Sequence, residues 1–308
     1  MASPSPEPGA APRVLCAGIA VVDHVYQLGH FPAPGTKNRA RDFAVACGGC
    51  AANEAIAAAR LGAHTRLIAP LGDDATGDSI LALLAREGID CAGAIRVAGA
   101  RSSVSAVLVD PSGERAIVNF RDEALSTARI ADPEAALAAT DAVLVDNRFP
   151  ELVLPLAQAA RRRGLPVVLD ADAPTRLTED LFAACTHIVF SADGLRATTG
   201  RDDLVESLRQ VAPLTDARLV VTDGPRGTFW LEGDAAEHLP AFPVRAVDTL
   251  GAGDVFHGAF LVAVARNLPQ REAVRFSAAA AAIKCTRFGG ISGAPTAVEV
   301  AGFLADGK

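Results

Sequence analysis

Apolar positions along the chain fall into short runs that alternate with stretches of helical period. Residues 13 to 20, RVLCAGIA, form an apolar run interrupted at Gly18, the pattern of a buried strand feeding a loop. From residue 52 onward the alternation is regular: NEAIAAARLG, TRLIAPLG and GDSILALLAREG, later DAVLVDN, PLAQAARRRG, PVVLDAD, HIVFSA and RLVVTDG. Apolar strands separated by helices predict an α/β fold, a mainly parallel sheet covered by helices on both faces. Two stretches break this rhythm. Between Gln27 and Ala46 the text is mixed and punctuated by Pro32, Pro34 and Gly35, while SSVSAVLVD and RAIVNF alternate on either side of a PSGE turn and predict a hairpin. Residues of about 25–46 and 101–121 are therefore assigned to a small β-sheet appendage, for which a lid is the natural use. The main domain runs over residues 13–308, preceded by a short disordered leader at 1–12.

Composition narrows the function classes. With 308 residues, half of them hydrophobic, the chain can bury a substantial core in one large domain. A formal charge of −7 and a pI near 5.4 argue against a broad surface for nucleic acid or an anionic membrane, while leaving room for local basic pockets. No apolar run reaches the roughly 20 residues a bilayer crossing needs, and MASPSPEPGAAP lacks the charged and apolar regions of a signal peptide, so a cytoplasmic protein is expected. Six cysteines, at 16, 47, 50, 91, 185 and 285, are too dispersed for a disulfide scaffold and read as reduced thiols. Cys47 and Cys50 form a CxxC, but no second ligand pair accompanies it, so it reads as two small residues beside a glycine turn.

In a parallel sheet, ligands bind beyond the carboxyl ends of the strands. The polar residues found there are Asp146, Asn147 and Arg148 after AVLV, Asp170 and Asp172 after PVVL, and Thr222 to Gly224 after RLVV, although such positions also serve solubility. The most informative segment is DTLGAGDVFHGAF, Asp248 to Phe260, a glycine-rich turn running straight into an apolar helix. Gly251, Ala252 and Gly253 allow successive backbone amides to converge on an anion at the helix start, where the unpaired donors and the dipole favour negative charge. Asp254 sits at that same start. A carboxylate beside a phosphate has a chemical use as a base that takes the proton of an attacking hydroxyl. Its ordinary alternative is a helix N-cap, and on GAGD alone the two readings stand level.

The full segment DTLGAGDVFHGAF resembles the second signature of the PfkB, or ribokinase-like, carbohydrate kinases. GGCAANEAIAAARLG, Gly48 to Gly62, resembles the first signature, and the two lie in the family's order about 200 residues apart. GIAVVDHV, PLGDDATGDS and VVTDGPRG extend the likeness over nearly the whole chain from Arg13. The resemblance implies a ribokinase-like three-layer α/β/α fold with a small β-sheet lid and ATP-dependent phosphorylation of a sugar hydroxyl. It implies Asp254 as the base, with Gly251, Ala252 and Gly253 around the transferring phosphoryl. Asp23, Gly48, Gly49 and Asn53 would bind the sugar, Thr222, Gly224 and Gly227 would lie along the nucleotide, and Lys284 to Gly293, including Gly289 and Gly290, would fold over the adenine. Mg2+ would enter with ATP, and Asp248 with the carbonyls near Gly289 could bind a monovalent cation such as K+. A homodimer through the lid is expected. One departure stands out: where many members carry NxxE, this chain has SADG, Ser191 to Gly194, with Asp193 or water as substitute.

For the acceptor, Lys37, Asn119 and Arg148 are notable, because together they could clamp an anionic group. With FSADGL and AAIKCTRFGG they make the chain resemble bacterial sulfofructose kinases, implying 6-deoxy-6-sulfofructose as the sugar. Solvated surface residues are the plain alternative. Neutral fructose, ribose or a deoxygluconate are rival acceptors, and a noncatalytic sugar or nucleotide sensor is the rival of another class. A Rossmann dehydrogenase is disfavoured because GIAVVD lacks GxGxxG.

Overall fold

The apolar runs of strand length become strands in the computed structural model of the protein, which describes residues 10–111, 113–173 and 179–306. Most of the expected leader, residues 1–9, lies outside the described residues, and by Pro12 the chain is already tied to the sheet, its carbonyl accepting from His64 N at 2.8 Å. The strands are β1 (Arg13–Ala17), β2 (Val21–Gln27), β3 (Asp42–Gly48), β4 (His64–Ile68), β5 (Pro70–Gly72), β6 (Ile95–Val97), β7 (Ser103–Val109) and β8 (Arg115–Phe120). They continue with β9 (Ala142–Asp146), β10 (Val167–Ala171), β11 (His187–Ser191), β12 (Arg218–Thr222), β13 (Thr228–Glu232) and β14 (Ala235–Leu239). The main sheet has the order β14-β13-β12-β11-β10-β9-β1-β4; it is parallel from β4 to β12, and the two edge strands β13 and β14 are antiparallel.

The helices are α1 (Cys50–Arg60), α2 (Ala75–Arg86), α3 (Pro133–Ala136), α4 (Pro150–Arg162), α5 (Glu179–Ala184), α6 (Ala192–Thr199), α7 (Leu204–Val211), α8 (Ala252–Ala265), α9 (Gln270–Cys285) and α10 (Ala297–Ala305). Successive residues of a strand point to opposite faces, so each apolar run serves two cores at once. In β9, Ala142 and Leu144 pack with α1, α8 and α9, whereas Val143 and Val145 pack with α4 to α7. All five residues of β9 and of β10 are buried, and each such valine or leucine contributes about 1.5–3 kcal/mol. The result is the expected three-layer α/β/α arrangement. Among the described residues no helix is long and apolar enough to cross a membrane.

A second sheet, β3-β2-β7-β8, stands apart from the first. The expected hairpin is present as antiparallel β7 and β8. The sheet also takes in residues 21–24 and 47–48, which the pattern reading left with the core, while 28–41 is loop. Val21 and Val22 are apolar and buried like the strand before them, so the boundary has no mark in the sequence. One face of this sheet carries Val25, Val107 and Val109, which pack with Leu250 of the glycine-rich turn. The opposite face leaves Phe43, Val45, Val118 and Phe120 exposed.

Candidate active site

Two helix beginnings meet at the carboxyl edge of the main sheet. Helix α8 is apolar nearly all round because α1 and α9 cover it, and Gly258 allows its close approach to α1. A Cβ at that position would lie 2.5 Å from the Glu54 carbonyl. The approach places Asn53 Nδ2 2.6 Å from Asp254 Oδ2, to which it donates. Gly251, at φ +76°, turns the backbone into α8 in the left-handed region that favours glycine, and no side chain caps the helix. The first-turn amides therefore lack intrahelical partners just where Asp254 stands. Asp254 is half-buried, and its carboxyl is pushed up to about 7. Burial is the main cause and the negative charge of Asp170 the next, while the Asn53 hydrogen bond and the positive charge of His257 hold the rise back.

Directly beneath lie Glu54, Asp170 and His257, all buried, with their polar atoms within 4.8 Å of one another. His257 Nδ1 is 2.8 Å from the Gly253 carbonyl, and Nε2 is 3.1 Å from the Val189 carbonyl and 3.4 Å from Asp170 Oδ1. Both ring nitrogens face oxygens that can only accept, a setting that favours the imidazolium. Burial opposes that charge, but Asp170 and the two carbonyls outweigh it and raise the His257 pKa. Glu54 is driven the other way: burial, then the charges of Asp170, Asp254 and Asp146, push its carboxyl well up and favour its neutral form. The cluster thus sets His257 against Asp170, beside a glutamate whose surroundings favour the neutral form.

On the other side of Asn53, the paired glycines admit close neighbours. A Cβ on Gly48 would overlap the Asp23 carboxylate, and one on Gly49, at φ +88°, would lie 2.6 Å from the Ile19 carbonyl. Strand register puts Asp23, Ser105 and Asn119 in one row across β2, β7 and β8 on the face toward the main domain, and Asn119 Nδ2 donates to Ser105 Oγ at 3.0 Å. At the end of β9, Asp146 accepts from the amides of Ile19 at 2.6 Å and Arg148 at 2.9 Å. Arg148 Nη2 donates to Asp172 Oδ2 at 2.9 Å and to the Ala173 carbonyl at 3.0 Å.

The likeness to known proteins fits this geometry. The profile of the pfkB family carbohydrate kinases matches residues 11–297. The chain belongs to that family. It is 31% identical to the ribokinase of Haemophilus influenzae over 92% of this chain and 95% of that one. It is 30% identical to fructokinase-1 of Oryza sativa subsp. japonica over 84% and 88%. A solved structure of a candidate ribokinase from Agrobacterium tumefaciens superposes with a TM-score of 0.93 at 40% identity, over 96% of this chain and 98% of that one.

Within this carbohydrate kinase, the residues read from the sequence do not all fall together. Asn53, Asp254 and the turn Gly251–Gly253 share one site, with Gly48, Gly49 and Asp23 beside Asn53. Thr222, Gly224 and Gly227 lie at the end of β12, but Gly227 also has a packing reason, since a Cβ there would overlap the Leu239 carbonyl. One expectation needs correction. Lys284 does not face a nucleotide: its side chain is fully buried and its ammonium is spent on Asp248. Of the expected anion clamp, Arg148 pairs with Asp172 and Lys37 is exposed in the 28–41 loop. In SADG, Ser191 caps α6 and donates to Asp172 Oδ1 at 2.7 Å, whereas Asp193 is 88% exposed and pairs with Arg196. Sequence reasoning missed Glu54, His257, Ser105, Gly258 and the bond from Arg115 Nη1 to Thr249 Oγ1 at 2.7 Å, which joins the small sheet to the glycine-rich turn. His257 carried a signal, lying one helical turn beyond Asp254, but Ser105 becomes visible only with strand register.

Proposed function

We propose that this protein transfers the γ-phosphoryl group of ATP to a primary hydroxyl of a small sugar, with Asp254 as general base. The observation that carries the reading is the carboxylate of Asp254, held by Asn53 at 2.6 Å at the uncapped start of α8. Its pKa of about 7 lies near working pH, where a base is both ionised and able to hold a proton. The sugar oxygen attacks the γ-phosphorus, its proton passes to Asp254, and the bond to the bridging oxygen of ADP breaks. The amides of Gly251 to Gly253 receive the charge that develops on the transferring group. The oxygen-rich setting of Asp170 and Asp254, whose atoms lie within 4.8 Å, suits a hard cation. Mg2+ held mainly through the triphosphate would supply charge neutralisation there.

For the acceptor, the pairing of Arg148 with Asp172 and the carboxylate of Asp23 beside Gly48 support a neutral pentose or ketohexose, such as ribose or fructose. 6-Deoxy-6-sulfofructose is the second reading, carried by Lys37, Asn119 and Arg148. The small sheet would act as the lid, resting through Val25, Val107 and Val109 on Leu250. A second copy of the chain would cover its exposed face of Phe43, Val45, Val118 and Phe120, since a contiguous apolar face of this kind marks an association surface. Sedimentation of wild type and Val118→Lys reads that directly: a dimer that the charge dissociates supports it, and a wild-type monomer at micromolar concentration refutes it.

The decisive experiment measures ADP release on ribose, fructose and sulfofructose by wild type and Asp254→Asn. The substitution keeps size and removes the proton acceptor, so kcat is expected to fall at least a thousandfold with KM little changed. A variant that retains a tenth of wild-type kcat would refute Asp254 as the base. A sulfofructose preference above a hundredfold in kcat/KM, abolished by Arg148→Ala, would overturn the neutral-sugar reading.

A further inference from the structure

The glycine-rich turn is anchored by an ion pair that is sealed from solvent. Lys284, in the last turn of α9, is fully buried, and its Nζ lies 2.7 Å from the Asp248 carbonyl, to which it donates, and 3.2 Å from Asp248 Oδ2. Asp248 is itself buried, and its carboxylate accepts from Leu250 N at 2.8 Å, Gly289 N at 3.0 Å and Gly290 N at 2.9 Å. The amides of Val247 and Asp248 in turn donate to the Cys285 carbonyl at 2.7 and 3.2 Å. Three segments therefore close on one ammonium: the turn that starts α8, the end of α9 and the 289–290 loop. A carbonyl oxygen and a carboxylate oxygen at these distances are the donor set a monovalent cation takes. The end of α9 adds the negative end of the helix dipole. Here a side chain of this chain supplies the charge.

We infer that Lys284 is a resident monovalent cation of the enzyme, a positioning residue that fixes the glycine-rich turn and replaces an exchangeable alkali ion at Asp248. The K+ expected at Asp248 from family resemblance does not fit: it would share both Asp248 oxygens with an ammonium of the same charge. Burial lowers the Lys284 pKa, and Asp248 opposes that fall. For Asp248, burial is outweighed by the amides of Gly290 and Leu250 and by the ammonium, so its pKa is lowered. The ion pair favours the charged form of each partner. Lys284 is sealed from solvent and acts through the six residues that lead from Asp248 to Asp254. An aliphatic side chain at 284 would leave Asp248 buried beside three amides with no countercharge, and the turn would loosen unless an external cation entered.

The inference rests on the kinase reading, and the test separates the two. Turnover of wild type is measured at equal ionic strength in K+ and in tetramethylammonium, which is too large to enter. Lys284→Ala is measured in the same buffers, with melting temperature followed alongside. Wild type is expected to give the same kcat within twofold in both. Lys284→Ala is expected to lose at least tenfold in tetramethylammonium, to recover part of that loss in K+, and to show a K+-specific rise in melting temperature that wild type lacks. Wild-type activation of fivefold or more by K+ would overturn the inference, as would a folded Lys284→Ala enzyme that K+ neither activates nor stabilises. Should that variant fail to fold, the wild-type comparison decides alone. Absence of any turnover in every buffer would instead refute the kinase reading.

Discussion

Removing the Asn53 side chain amide should shift the pH dependence of the enzyme, and the sign follows from the structure. Asn53 donates to Asp254 Oδ2 at 2.6 Å, and a donor to a carboxylate favours its ionised form. A hydrogen bond to a charged group contributes about 1.5–3 kcal/mol, and one pKa unit corresponds to about 1.4 kcal/mol. Asn53→Ala should therefore raise the Asp254 pKa by roughly one to two units, the lower end if water takes the vacated place. Starting from about 7, the acid limb of kcat/KM moves to roughly 8–9, and the ionised fraction at pH 7.5 falls from about three quarters to between about one quarter and about one thirtieth. The assay is kcat/KM against pH from 5.5 to 9.5, which reports the free enzyme. Wild type should lose activity tenfold per unit below pH 7, because protonation removes the base. If Asn53 served only to bind sugar, the whole profile would drop without moving. An unmoved limb, or one displaced toward acid, refutes the coupling.

Two further predictions test the packing that builds the site. Gly258→Ala forces a methyl within 2.5 Å of the Glu54 carbonyl; overpacking of this kind costs about 1–3 kcal/mol, and prising α8 from α1 should cut kcat at least tenfold through the Asn53–Asp254 contact. Urea denaturation and kcat measure the two effects, and a fully active variant would show that the close approach is not needed. In the buried cluster, Glu54→Gln should leave stability within about 1 kcal/mol, because burial beside Asp170, Asp254 and Asp146 favours the neutral form of Glu54, whereas His257→Leu strands a buried Asp170 and should cost about 3–5 kcal/mol. Equal losses in both variants would mean that Glu54 is ionised.

What the chain's own text determined is the part that local chemistry imposes. Apolar runs of strand length between helical stretches can only be buried on both faces, so the layered α/β fold was legible before any coordinates. So was the core of the site, because DTLGAGD concentrates in consecutive residues a left-handed turn, a helix start and a carboxylate. What the tertiary structure alone decided is everything that depends on partners distant in sequence. Lys284 looks like any charged residue near a helix end, and only its meeting with Asp248, 36 residues away, turns a surface cation into a sealed one. Arg148 looks like a free anion binder until Asp172 is found beside it. The protonation states of Glu54 and His257 follow from burial and from what faces them, so residue type alone could not fix either. Local sequence sets backbone geometry and hydrophobic period, but the charge a side chain presents is set by its neighbours, and those are chosen by folding.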